Sequence, residues 1–199
     1  FSRDNFIMFN VLHGGGYKNY TYGNVKKNIH KCANYFYSCN HINKYVGLLM
    51  DNSPLWVSCF YGLLESGHIP VLLSTKNSVE DIMFVCDSLN INTIISDRAN
   101  IQSVDIINPF NLDLETLSDK PLDIWEDNVV FLTSGTSGQL KIINYSGLEL
   151  SEQIKNASTI VKNNKLITKS FKGYLKHLVI LPFYHVFGFI AVFLWFSFF

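Results

Sequence analysis

Apolar residues recur at helical spacing through "TYGNVKKNIHKCANYFYSC" (21–39). Val25, Ile29, Cys32 and Phe36 fall on one side of a helix there, with Lys26, Lys27 and Lys31 elsewhere. "YVGLLM" (45–50) is short and wholly apolar, the pattern of a buried strand. "NSPLWVSCFYGLLESG" (52–67) carries its own punctuation: Ser53 as a cap, Pro54 for the first helical position and Gly67 for the exit. "IPVLLS" (69–74) predicts a second strand. "SVEDIMFVCDSLN" (78–90) predicts a helix opened by Ser78 and Asp81 at nearly capping-box spacing, and "NTIISD" (92–97) a third strand.

The period is lost between about Arg98 and Asp127, a stretch with Pro109 and Pro121, so an irregular connection with one short strand is expected. Regular order returns with "NVVFL" (128–132) as a strand and "KIINY" (141–145) as its hairpin partner. A polar helix over 148–163, a strand over 175–183 and an apolar helix from about Val186 follow. Continuous apolar strands alternating with amphipathic helices predict an α/β fold: largely parallel sheets with helices on both faces.

Composition narrows the classes. The chain has 199 residues, 48% hydrophobic and only 16% charged, so it can bury a core and is too apolar to be disordered. Sixteen basic residues balance sixteen acidic ones without a basic run, which removes the electrostatic footprint of a nucleic-acid binder. Cys32, Cys39, Cys59 and Cys86 are scattered singly through apolar stretches, as buried free thiols of a cytoplasmic protein would be. The chain opens on Phe1 without a signal pattern. It ends in "GFIAVFLWFSFF" (188–199), shorter than the ~20 residues of a membrane span. That run reads as a buried helix whose packing partners lie beyond it, and the chain as a fragment.

The candidate chemistry lies in "VVFLTSGTSGQLKIIN" (129–144). A loop that holds phosphate oxygens wants inward backbone N–H groups, small residues, hydroxyl donors and a nearby cation. Thr133, Ser134, Thr136 and Ser137 supply the hydroxyls, Gly135 and Gly138 free the backbone, and Lys141 brings the charge. The lysine spacing is not that of a Walker loop. A plain Ser/Gly hairpin turn is the competing reading, although seven small or polar residues exceed what a tight turn needs.

These residues resemble the adenylate-forming superfamily, also called the AMP-binding or acyl-CoA synthetase/ligase family. Its phosphate loop reads Thr-Ser-Gly-Ser/Thr-Thr-Gly-x-Pro-Lys-Gly after an apolar or aromatic residue. "LTSGTSGQLK" (132–141) keeps that register, with Ser137 for the threonine, Leu140 for the proline and Ile142 for the glycine. "TYGNVKKNIHKCANYF" resembles the family's early Thr-Tyr helix. "VGLLMDNSPLWVSCFYGLLESGHIPVLLS" resembles its strand–helix–strand segment, and "LPFYHVFGF" (181–189) its P-x-x-H-x-x-G motif. The likeness runs from about Tyr20 to the last residue.

The resemblance implies the first part of a large N-terminal AMP-binding domain, incomplete over 1–199, with the small C-terminal domain absent. It implies that a carboxylate attacks the α-phosphate of ATP, with Mg2+, to give an acyl-adenylate and pyrophosphate. A thiol, CoA or a carrier protein's phosphopantetheine, then takes the acyl group. By resemblance Thr133, Ser134, Gly135, Thr136, Ser137, Gly138 and Lys141 hold the phosphates, and Thr136 supports the metal. Lys141 and His185 serve catalysis, His185 beside the reacting carboxylate. "FYHVFGF" leans toward a hydrophobic acyl group. The family's Thr-Glu motif, ribose aspartate and C-terminal lysine fall past residue 199, so this stretch alone is expected to be inactive. Two alternatives stand: a non-catalytic relative, given Leu140 and Ile142, and a hydrolase, given "HGGG" (13–16). No GxSxG accompanies the latter, and a glycine-rich hairpin turn explains it more simply.

Overall fold

The computed structural model describes residues 4–98, 101, 103–134, 140–163 and 178–194, by backbone alone at 134, 157 and 160–163. The first two strands, β1 (Ile7–His13) and β2 (Gly16–Thr21), form an antiparallel hairpin. Gly14 and Gly15 turn it with φ of 55° and 82°. A two-residue turn with both φ positive matches the twist of the strands it joins, which is why the "HGGG" stretch is a hairpin turn.

Helix α1 (Tyr22–Ser38) follows, with Thr21 and Asn24 exchanging hydrogen bonds at its start. Strand β3 (Tyr45–Leu49), helix α2 (Pro54–Glu65) and strand β4 (Ile69–Leu72) form the first crossover. The Ser53 hydroxyl accepts the Trp56 N–H at 3.0 Å, so the cap reads as the sequence predicts. Helix α3 (Val79–Leu89) starts at a Ser78–Asp81 capping box and ends at Asn90, which is left-handed at φ 53°. Strands β5 (Thr93–Ser96) and β6 (Asp105–Ile107) lead to β7 (Val129–Ser134), β8 (Leu140–Tyr145) and helix α4 (Gly147–Asn163). The expected single short strand in the irregular connection is β6.

Six strands make one sheet in the order β6-β5-β3-β4-β7-β8, parallel except for β8. The chain passes from β3 to β4 through α2, then back over β3 to β5 through α3. Crossovers that run in opposite directions with the same right hand must lie on opposite faces. Accordingly α1 and α2 cover the face bearing Val46, Leu48, Leu72 and Phe131, while α3 covers the face bearing Val71, Leu73, Ile94 and Val130. Because the helices leave to opposite sides, the carboxyl ends of β3 and β4 form a topological switch point.

One expectation near residue 180 is corrected. Residues 178–183 form no strand; Leu178 and Ile180 are exposed, and the main chain at 181 and 183 is bonded by the Asn52 side chain instead of a sheet neighbour. The final apolar helix begins at Val186 as expected and is π-helical over Gly188–Leu194, where Phe189 and Phe193 touch the ring of Phe60 and Phe189 touches Phe131.

The irregular connection is tied to the exit of α2. Glu65 accepts from His30 Nδ1 at 2.8 Å and from the Leu122 N–H at 3.0 Å. Beyond it, Lys44 pairs with Glu126 at 2.7 Å. Burial opposes the Glu126 charge, but hydrogen bonds from Lys44 and Asn128 outweigh it and bring its pKa to about 2. A carboxyl depressed on folding stabilises above its ordinary value near 4.5, and that contribution is lost as pH falls toward about 2. Lys44 is half exposed, so the pair is screened and contributes on the order of 1 kcal/mol. Urea unfolding should therefore show Glu126→Gln weaker than the parent at pH 7 and equal to it near pH 2. Parallel stability curves across that window would refute the assignment.

Candidate functional site

The β7–β8 pair fixes the ends of the Ser/Gly loop. Thr133 stands opposite Lys141 and Ser134 opposite Leu140 in an antiparallel register. The five positions between them, with Gly135, Thr136, Ser137 and Gly138 among the expected phosphate-holding residues, lie outside the described residues. Side chains alternate along a strand, so Thr133 and Lys141 share the face that carries Val129, Phe131 and Tyr145. Leu140 and Ile142 take the other face, against the core under α3. The two departures from the family loop are thus apolar residues of β8 that pack on the second core.

Lys141 is exposed, and among the described residues its ammonium makes no ion pair. Thr133 is half-buried beside it. No carboxylate occurs anywhere from Thr133 to Lys141, so every donor there favours an anion. The donor set fits a polyphosphate. It does not by itself cage magnesium: among the described residues no group of three His, Cys, Asp or Glu could hold a metal ion. Such an ion would arrive with the phosphates, as Mg2+ commonly does.

Strand β7 runs parallel to β4, with Leu72 opposite Phe131, so the loop leaves from the carboxyl edge of the sheet. The turns after β3, β4 and β5 reach the same edge. There Asp51 pairs with Arg98 at 3.1 Å and accepts from the Thr75 hydroxyl at 3.1 Å. His185 is exposed, between Tyr184 and Gly188, both buried. Its carbonyl accepts from the Phe189 N–H at 2.8 Å, and the Phe189 ring rests 5.1 Å from that of Phe131. Phe189, one helical turn after His185, thus packs on the sheet face that Thr133 and Lys141 share. Gly188 closes against the Pro182 carbonyl so tightly that a Cβ would overlap it, which gives the P-x-x-H-x-x-G spacing a steric reason.

The sequence profile of the AMP-binding enzyme family matches residues 3–198. The chain belongs to that family. No curated protein matches it in sequence. Solved structures of AMP-binding and related enzymes share its fold. The inhibitor-bound N-terminal domain of FACL13 from Mycobacterium tuberculosis superposes with a TM-score of 0.64 at 19% identity, over 88% of this chain and 47% of that one. The o-succinylbenzoate CoA synthetase from Bacillus subtilis, in complex with the acyl-adenylate intermediate OSB-AMP, gives 0.65 at 17% identity, over 88% and 47%. An adenylation domain of a keto acid-selecting nonribosomal peptide synthetase module, bound to a keto acyl adenylate, gives 0.72 at 13% identity, over 93% and 36%. The chain thus spans about half the length of the first two. Among its described residues no helix is long and apolar enough to cross a membrane.

Sequence reasoning missed Asn52. A polar residue between an apolar strand and a Ser-Pro helix start was the available signal, and the family likeness passed through it without giving it a role.

Proposed function

We propose that this chain is the first part of the large domain of an enzyme that activates a carboxylic acid with ATP. The acid's oxygen attacks the α-phosphorus, the bond to the β-phosphate bridging oxygen breaks, and acyl-adenylate and pyrophosphate result. In this reading the 133–138 backbone and hydroxyls wrap the β- and γ-phosphates, Thr136 supports Mg2+ and Lys141 neutralises charge. Magnesium supplies further neutralisation of the triphosphate. His185 lies beside the carboxylate. Such a reaction is governed by positioning and charge stabilisation as the in-line transition state spreads charge over phosphoryl oxygens.

One observation carries the reading: Thr133 faces an exposed Lys141, without an ion pair among the described residues, across the mouth of an uncharged glycine-hydroxyl loop at the carboxyl edge of a parallel sheet. The acyl-adenylate and keto acyl adenylate held by two of the similar structures point the same way. A thiol, CoA or carrier-bound phosphopantetheine, takes the acyl group in the second step, and the aromatic His185 segment favours an apolar acid. Cytoplasmic residence fits the free cysteines.

The test is carboxylate-dependent ATP–pyrophosphate exchange by the full-length protein, against aliphatic, aromatic and amino acids. Exchange with one class establishes adenylation and names the substrate. ATP binding without exchange across the panel marks a non-catalytic relative, and no ATP binding returns the loop to a plain turn.

A further inference from the structure

Asn52 follows β3 and directly precedes the Ser53 cap and Pro54 of α2, so both neighbours in the chain hold its backbone. Its side chain reaches a segment about 130 residues away. Nδ2 donates to the Leu181 carbonyl at 2.8 Å, and Oδ1 accepts from the Phe183 N–H at 2.8 Å. A carboxamide presents a donor and an acceptor side by side, which is what one edge of an extended main chain asks for. Asn52 thereby does for residues 181–183 what a neighbouring strand would do.

Pro182 sits between the two held residues. Its carbonyl accepts from the His185 N–H at 3.2 Å, and the His185 carbonyl accepts from the Phe189 N–H at 2.8 Å. Gly188 packs on the same Pro182 carbonyl. A run of main-chain bonds therefore leads from Asn52 through Pro182 to His185 and on to Phe189. Phe183 and Phe189 are buried on either side, while the His185 side chain is exposed. The apolar anchors fix depth; the Asn52 amide fixes register.

We infer that Asn52 is a positioning residue that sets the place of His185 at the carboxyl edge of the sheet, acting through the 181–183 main chain. The inference rests on the adenylation reading for its effect on rate, and on geometry alone for its effect on the segment. Two variants test it in the full-length protein. Asn52→Ala removes both bonds. Asn52→Asp keeps the acceptor for Phe183, loses the donor to Leu181, and has nearly the same shape, so it serves if the alanine variant folds poorly.

Amide hydrogen exchange is read first. Phe183, His185 and Phe189 should exchange roughly tenfold faster in either variant, with α2 and β3 unchanged. Pyrophosphate exchange is read second. Asn52→Ala should lower kcat by roughly 10- to 100-fold with a smaller change in the KM for ATP. It should cost less than twofold more when His185 is already alanine, because two residues that act as a unit are not additive. Unchanged protection at 183–189 overturns the inference, and so does a fully additive loss in the double variant. A wild-type protein without pyrophosphate exchange overturns the adenylation reading instead; the amide measurement still decides whether Asn52 holds the segment.

Discussion

Alanine at both Thr136 and Lys141 of the full-length protein should slow acid-dependent ATP–pyrophosphate exchange by at least ~10²–10³-fold, the loss typical of removing one preorganised donor to a developing anion. The fold should survive. Lys141 is exposed at the end of β8 and makes no ion pair among the described residues, and surface changes of that kind stay within about 0.5 kcal/mol. Lys141→Arg separates charge from shape: it keeps the cation but offers a planar fork in place of a point charge, so partial activity is expected. The reading predicts a graded series, with arginine above alanine and the double variant lowest. Equal turnover in wild type and double variant, with intact melting, would remove residues 133–141 from the chemistry.

The parts of this molecule that could be read in advance are those whose cause is local. Ser53 and Pro54 start α2, and Ser78 and Asp81 start α3, because a cap bonds only within its own turn. The β7–β8 hairpin was legible for the same reason, but the register that sets Thr133 opposite Lys141 was not, because the strand runs two residues past its expected end at Leu132. The order β5-β3-β4-β7 was not, since parallel neighbours share no turn and leave no local trace. The segment after residue 177 failed more instructively. "LVILPF" has the composition of a strand, but its main chain at 181 and 183 is satisfied by a single side chain from the other end of the sequence. No windowed pattern contains that pairing. The last apolar run makes the same point: the rings of Phe189 and Phe193 meet those of α2 edge-on, more than a hundred residues away in sequence, and only the fold shows it.

Trp56→Ala should be the costliest single change in the core that supports the site, at about 3–5 kcal/mol. The indole is fully buried on α2, with Phe60 stacked at 5.3 Å between ring centroids, Phe183 at 5.2 Å and Phe193 at 5.6 Å. Phe183 and Phe193 bracket the His185 turn, so the cavity would open beneath it. Trp56→Phe behaves differently. Among the described residues the indole Nε1 is buried without a hydrogen-bond partner, and an unsatisfied donor of that kind costs about 1–3 kcal/mol. Phenylalanine removes that penalty while giving up one ring's worth of packing, so the two terms nearly cancel and the net change should stay below about 1.5 kcal/mol. Urea unfolding of the full-length protein, followed by far-ultraviolet circular dichroism, separates the pair. If phenylalanine costs as much as alanine, the indole N–H has a partner and the aromatic cluster is held by a polar contact as well as by packing.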